Sequence, residues 1–494
     1  MMPFGSSLRP PHRIAIVGAG FTGSMLAAHL LRRCEQPTTI HLIERSGAPG
    51  PGLAYSTPNG AHVLNVRAYN MSAYPDDPRH FLRWLWARNS DSPVPPSGHA
   101  FVSRAVYGAY IRDVLAQAQA AAPPHVAVRT LRAEAVDVVE EGDGVRLRLD
   151  GGPMLPADRA VLCLGNFPPP PPRVAADPQA AAAVFASSRY IGDPWDHAAV
   201  AAVPPDEAVL VLGTGLTMVD VVLSLLDQGH RGAILAVSRR GLLPTVHEET
   251  RPYKSFLCPQ VMPRTVLDVL IALKADARRA QAAGFDWRAA FDALRPHHHR
   301  IWEHLPEEER RRFLRHARPF WEVHRHRLAP EVAARIAAAR ASGQLSVRAG
   351  RLHGLSPDGD GVAAAIAERG GAIDARRVGR VINATGSECD YARIRHPLVQ
   401  ALLRRGLARP DPLRLGLDVT ADGALIGASG RPSDRLFALG PASRAPFWEM
   451  TAVPELRTQC AGAAEHLAAF PAERVHGMPW ARRDDAAGHP GREA

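Results

Sequence analysis

Apolar and polar positions along the chain spell the same arrangement twice. Ile14-Ala-Ile-Val17 is an unbroken apolar run, the pattern of a strand buried on both faces. It leads into Gly18-Ala-Gly-Phe-Thr-Gly23, and apolar residues at helical spacing continue through Leu31. A second strand, Thr39-Ile-His-Leu-Ile43, ends at Glu44; strand segments follow at Ala135–Val139 and Val145–Leu149, and Ala160-Val-Leu-Cys-Leu-Gly165 closes the copy. The second copy opens with Ala208-Val-Leu-Val-Leu-Gly-Thr-Gly-Leu-Thr-Met218 and a helix to about Gln228. Its second strand is Ala233-Ile-Leu-Ala-Val237, and segments at Leu345–Val347 and Val362–Ala367 lead to Val378–Gly386. Each copy therefore reads as strand, glycine turn, helix, strand, hairpin-like pair and closing strand. The fold class that follows is α/β, with two Rossmann-like dinucleotide-binding domains.

A single glycine-rich turn is a weak signal, but each of these follows an apolar strand, precedes a helix and has a second strand about twenty-five residues on. Gly18 permits the tight turn, Gly20 lets backbone approach a pyrophosphate and Gly23 lets the helix pack on the strand. The helix start supplies the positive end of its dipole to the phosphates. Gly18, Gly20, Phe21, Thr22 and Gly23 are thus candidate cofactor residues, and so are Gly213, Gly215, Leu216 and Thr217; Met218 replaces the third glycine of the second copy.

The ends of the second strands separate the two nucleotides. Glu44, followed by Arg45, offers a carboxylate to a ribose diol and repels a 2′-phosphate, which suits FAD. At the matching place the second copy has Ser238, Arg239 and Arg240, a hydroxyl and two guanidinium groups suited to the 2′-phosphate of NADPH. Gly165 and Gly386, which end the closing strands, complete the two sites.

With 494 residues, 46% of them apolar, the chain has room for two or three domains with sizeable cores. Residues 1–170, with an insert at about 51–125, and residues 371–470 read as the FAD-binding domain. Residues 195–370 read as the NADPH-binding domain, interrupted by a helical insertion at about 255–345, and 471–494 as a polar, flexible tail. The net charge of +10 comes almost entirely from scattered arginine, without the basic blocks interleaved with aromatics that a single-strand binder uses, so nucleic acid is not expected as a partner. The N-terminus lacks the apolar core of a secretory signal, and the greasy stretch Ala208–Leu226 is interrupted by Gly213, Gly215 and Asp220. A cytoplasmic protein without a membrane span is expected.

More specific blocks surround these motifs: Gly52-Leu-Ala-Tyr-Ser-Thr-Pro58, His62-Val-Leu-Asn-Val66, Met71-Ser-Ala-Tyr-Pro-Asp-Asp-Pro78 and His80-Phe-Leu-Arg-Trp84 early on. Arg409-Pro-Asp-Pro412, Leu415-Gly-Leu-Asp418, Leu436-Phe-Ala-Leu-Gly-Pro441 and Trp448-Glu-Met-Thr-Ala-Val-Pro-Glu455 come late. On these residues the chain resembles the bacterial FAD/NAD(P)-binding proteins built on a tandem Rossmann pair, from Ile14 to about Ala463. Its architecture is also similar to flavin monooxygenases of the N-hydroxylating and Baeyer–Villiger kinds. The resemblance implies that Leu436–Gly440 is a strand ending near the flavin's ribityl chain. Pro441 stands where an acidic residue is expected, and Arg67 where proline is. It further implies that Thr451, Ala452 and Val453 start a helix aimed at the pyrimidine end of the ring, and that Asn65 and Met71 lie on the isoalloxazine. A capping turn of Ser72, Pro75 and Asp76 before a helix at 78–86 explains that last segment as well.

The five cysteines form no close pair, which disfavours thiol–disulfide chemistry, and Cys163 inside an apolar strand reads as an inert core residue. Phe185 to Trp195 lacks the glycine and histidine of the Baeyer–Villiger signature. Residues 264–341 read as helical, with Trp302, Phe313, Phe320 and Trp321 at apolar positions, and suit a substrate lid. His297-His-His299 is expected in an exposed turn beside Pro296, and no metal site is expected. The expected activity is an FAD-dependent NADPH oxidoreductase: NADPH reduces FAD, and reduced flavin activates dioxygen to oxygenate a small molecule such as an amine. A plain reductase and a non-catalytic redox sensor are the alternatives, and no catalytic side chain is assigned.

Overall fold

The computed structural model describes residues 11–89, 96–152, 154–254 and 262–469; the expected tail and Cys258 lie outside them. Strand β1 (His12–Val17) runs into the helix Phe21–Arg33, and β2 (Thr38–Ile43) and β3 (Val126–Leu131) follow. β4 (Ala135–Glu141), β5 (Gly144–Leu149) and β6 (Met154–Ala157) make an antiparallel sheet of their own, and β7 (Arg159–Leu162) returns to the first sheet. The second unit takes β8 (Tyr190–Ile191), β9 (Val209–Leu212), the helix Leu216–Asp227, β10 (Ile234–Ser238) and β11 (Leu345–Ala349). A second antiparallel sheet, β12 (Arg351–Asp358), β13 (Gly361–Ala367) and β14 (Ile373–Val378), precedes β15 (Arg380–Asn383). The chain then goes back to the first unit with β16 (Ala424–Ile426) and β17 (Pro432–Ala438).

The first large sheet has the order β16-β17-β7-β1-β2-β3, and the second β11-β10-β9-β15-β8. Both are parallel except at β16, which pairs antiparallel with β17. Ile14–Val17, Ala160–Leu162 and β9 are apolar and buried because helices cover one face of each large sheet and the small antiparallel sheet packs on the other. The stretch Ala208–Leu226 is strand, turn and helix in series, and among the described residues no helix is long and apolar enough to cross a membrane.

Two expectations about the sheets need correcting. Each unit has a third parallel strand, β3 and β11, and Leu345–Val347 is no part of a hairpin-like pair. The small antiparallel elements are three-stranded in both units. β3 escaped the apolar pattern because it is an edge strand: in Val126-Ala-Val-Arg-Thr-Leu131 only Val126 is buried.

The segment between β10 and β11 is helical: Val266–Ala282, Trp287–Ala293, His298–His304, Glu307–Arg312, Arg318–Arg325 and Pro330–Ala341. It packs on the C-terminal part of the first unit, where Trp302, Leu415, Ala445 and Trp448 share a buried cluster with Phe313 and Trp321 against it. Phe320 departs from the apolar reading. It is 45% exposed and lies under the Arg240 guanidinium at 4.7 Å. The exposed histidine turn is also overturned: His298 is buried, because the turn at Pro296 drives it into the seam with the first unit, beside Glu449.

Candidate functional site

Both glycine turns have geometry that only glycine supports. Gly18 has φ +95°, and a Cβ there would sit 2.3 Å from the Cys163 carbonyl oxygen. Gly213 repeats this with φ +114° and 2.2 Å to the Ala384 oxygen. In each unit the turn is pressed against the end of the closing strand, which brings the helix start over the sheet. A Cβ on Gly23 would be 1.9 Å from the Gly18 oxygen, so this glycine sets the helix–strand approach. By contrast a Cβ on Gly165, Gly215 or Gly386 would meet nothing within 4 Å. Those three line open grooves at the strand ends.

Neither glycine helix is capped by a side chain, so its first N–H groups keep no partner from a cap. That pair of bare helix starts, each facing an open groove, is the fit expected of two pyrophosphates. Phe21 and Thr22 lie in the first turn of one helix, and Leu216 and Thr217 in that of the other. A second glycine pair roofs the first turn: Gly50 N–H donates to the Ala19 carbonyl at 2.8 Å, and a Cβ on Gly52 would be 2.7 Å from the Gly20 Cα.

At the end of β2, Glu44 turns its carboxylate back to the turn, accepting from Ala19 N–H at 2.9 Å and from Ser46 N–H at 3.0 Å; Arg45 is exposed beside it. The end of β10 opens instead on a cleft of about 560 Å³ lined by Arg239, Arg240, Arg315, His316, Arg351 and Arg369. Ser238 does not present its hydroxyl to this cleft freely, since Oγ accepts from Gly241 N–H at 3.0 Å and shares a hydrogen bond with Thr214 at 2.8 Å. Arg315, Arg351 and Arg369 come from the helical insertion and the β12–β13 region, which the sequence motif could not place beside β10.

Beside the same start of the first helix, Gly440 (φ +72°) follows β17 and faces Thr22, whose Oγ1 would be 2.8 Å from a Cβ there. Its N–H donates to Gln459 Oε1 at 2.7 Å, and Pro441 begins a single 3-10 turn. Thr451 and Ala452 precede the helix Val453–Ala468, which is also uncapped by any side chain. Met71 is buried in the first core, and Tyr107 Oη donates to its carbonyl at 2.9 Å. Ser72 is a turn residue: Oγ donates to the Asp77 carbonyl at 2.6 Å and accepts from Tyr74 N–H at 3.2 Å. The Asn65 carbonyl lies 3.0 Å from His247 Nε2 of the second unit.

Residues 15–167 match the family model described as FAD-NAD(P)-binding. These residues form an FAD–NAD(P)-binding domain. An L-aspartate N-monooxygenase (nitrosuccinate-forming) from Streptomyces cremeus is 27% identical over 257 residues, 44% of this chain and 38% of that protein, so the chain spans well under half of this curated relative. Among solved structures, the reduced form of ornithine hydroxylase from Pseudomonas aeruginosa aligns with a TM-score of 0.61 at 15% identity, covering 93% of this chain and 99% of that one. L-lysine 6-monooxygenase from Pseudomonas syringae aligns with a TM-score of 0.60 at 16% identity, with the same coverage. The chain shares the fold of these two structures.

The first unit is tied to the second by Arg104 and by His62 of the early motif blocks. Arg104 forks onto Asp220 at 2.7 and 3.1 Å. His62 is buried, with Nδ1 2.7 Å from Thr57 Oγ1 and Nε2 2.9 Å from the Asp220 carbonyl. A second tie went unseen in the sequence. Glu449, 4% exposed, accepts from Trp321 Nε1 at 2.9 Å and Arg325 Nε at 3.0 Å, while Arg295 forks onto Glu455. Burial alone would raise the Glu449 pKa, but Arg325, His298, His326 and the Trp321 bond outweigh it and hold it at about 2. His298, Glu449 and Glu455 bring one ligand atom each within 4.8 Å, yet both carboxylates are already neutralised by arginine. Cys163 and Cys460 are buried, and burial pushes both thiols up, which leaves them inert.

Proposed function

We propose that the chain is an FAD- and NADPH-dependent monooxygenase that oxygenates the amine nitrogen of an amino acid. The carrying observation is the asymmetry of two otherwise equivalent helix starts. One ends its second strand in Glu44, the other in an arginine cleft, so FAD belongs to the first and NADPH to the second. The names of the relatives, which act on aspartate, ornithine and lysine, support the amine. When bound, NADPH supplies a hydride, and FAD passes the electrons on to dioxygen. In the overall balance one oxygen atom joins the amine nitrogen, the other leaves as water, and NADPH gives two electrons.

The residues of the chain bind, orient and exclude water around those groups. The uncapped start of the Val453–Ala468 helix has N–H groups that would stabilise negative charge on a reduced ring held there. The helical insertion, clasped by Glu449, closes the far side against solvent. Among the described residues, Cys34, Cys163 and Cys460 are buried free thiols.

Two measurements test this reading. Anaerobic NADPH should bleach bound flavin within seconds, and in air an amino acid should yield its hydroxylamine with little peroxide. Bleaching with peroxide matching all NADPH consumed, whatever amine is added, would leave only a reductase.

The coenzyme assignment has its own check. Arg239→Ala or Arg351→Ala should raise KM for NADPH by about 10- to 100-fold and change that for NADH little, since each removes a charge facing the 2′-phosphate. Equal losses for both coenzymes would overturn the assignment.

A further inference from the structure

The three parts of the chain meet at Trp448, which has φ +61° and is 3% exposed. One face of its ring stacks on Trp302 of the helical insertion, with centroids 4.8 Å apart. Two arginines share the same ring: the Arg444 guanidinium carbon lies 5.0 Å from its centroid and that of Arg318 5.9 Å. Cys389, a few residues past Gly386 at the end of the second unit's closing strand, is 4.0 Å from Arg444 Nη1. The first unit, the second unit and the insertion thus each give a residue to one spot, just before the helix Val453–Ala468.

The charges at this spot do not cancel. Arg318 donates to Glu322 at 2.6 Å and satisfies it. Arg444 donates through Nε to the Trp448 carbonyl at 2.9 Å, and no carboxylate among the described residues bonds to it. Burial, and then the like charge of Arg318, pull its pKa down, the sign of a cation held without a counter-ion. Nearby acids are engaged elsewhere: Glu449 by Arg325 and Trp321, Glu455 by Arg295, and Asp411 by the N–H groups of Leu413 and Leu415. One positive charge is left over, and no free carboxylate is on hand for an ammonium group.

We propose that Arg444, with Arg318 beside it, receives a carboxylate of the substrate, so that the favoured amine is an acidic amino acid carrying a second carboxylate and not a basic one. The anion site stands on the geometry; only the fate of the amine rests on the monooxygenase reading. A guanidinium fork matches a carboxylate through two parallel bonds. A cationic side chain there would meet two arginines and one acid, Glu322, which Arg318 already holds.

The test uses the flavin-loaded protein with NADP⁺ and two probes without a reactive amino acid, succinate and 1,4-diaminobutane, followed by calorimetry. Succinate should bind saturably and the diamine should not. Arg444→Gln and Arg318→Gln should each weaken succinate by at least about 30-fold, with Arg444→Lys recovering part of the loss. Because Arg444 also holds the Trp448 carbonyl, Arg318→Gln carries the test if Arg444→Gln fails to fold. No saturable succinate binding, unchanged affinity in the glutamine variants, or preference for the diamine would overturn the proposal. Turnover separates the two readings: hydroxylation of ornithine or lysine but not of aspartate removes this inference and keeps the monooxygenase, while arginine-dependent succinate binding with no amine oxidised does the reverse.

Discussion

Gly215→Asp should keep its flavin and lose NADPH affinity by at least about 100-fold, whereas Gly18→Ala should purify without flavin. Gly215 is the second glycine of its motif and Gly18 the first of the other, and they differ in what surrounds them. At Gly215 the backbone is extended, with φ −85°, and a Cβ meets nothing within 4 Å, so the fold accepts a side chain. The new carboxylate then sits at the bare helix start, where it takes the N–H groups and repels the pyrophosphate. At Gly18 a methyl group meets the Cys163 carbonyl at 2.3 Å in a left-handed backbone, so β1, β7 and the helix Phe21–Arg33 must part. Flavin-to-protein ratios and NADP⁺ titrations read both outcomes. A fully loaded Gly18→Ala, or a Gly215→Asp with unaltered NADP⁺ affinity, would mean that the phosphates lie elsewhere.

Those two turns were the part of the site most open to reading in the sequence. Local spacing determines them: strand, glycines, helix and the residue ending the next strand all lie within about thirty residues, inside one βαβ unit. The partners brought by distant segments were not legible. Arg315, Arg351 and Arg369 reach the β10 cleft from the insertion and the β12–β13 region, and nothing local marks them among so many arginines. Gly50 and Gly52 look like ordinary loop glycines until the fold lays them over Gly20. Ser72 and Ser238 show the converse. Each is a polar residue beside a motif, and each proves to be holding its own turn.

The insertion explains the largest gap. Its apolar positions announced helices, but a helical pattern does not say which surface a helix faces. Trp302, Phe313 and Trp321 are apolar toward the first unit, and with them come Arg295, His298 and Arg325, whose acidic partners Glu455 and Glu449 lie across the seam. The same segment also lends Arg315 and His316 to the coenzyme cleft.

Glu449→Gln should undo that clasp at neutral pH, at a cost of about 3–5 kcal/mol in the docking of the insertion. The substitution keeps shape and removes charge. Arg325, 13% exposed at its side chain, is then left with Glu455 at 4.0 Å as its nearest acid, and a buried cation without a partner is the costly case. Trp321→Phe, which gives up one hydrogen bond, should cost only about 1 kcal/mol. The pH dependence follows from the sign of the shift. Glu449 titrates at about 2 in the folded chain against an ordinary 4.5, so its contribution is full above pH 4.5 and fades as pH falls through 2. The stability gap between wild type and Glu449→Gln should therefore shrink as the pH falls below about 4.5. His247 and His29, held by burial at about 4 and about 3, make both proteins less stable as pH drops below 6.5, and this cancels in the difference. Thermal unfolding of the flavin-loaded pair, followed by flavin fluorescence across this range, measures the gap. A variant as stable as wild type at neutral pH, or a gap that widens on acidification, would show that the carboxylate does not hold the insertion in place.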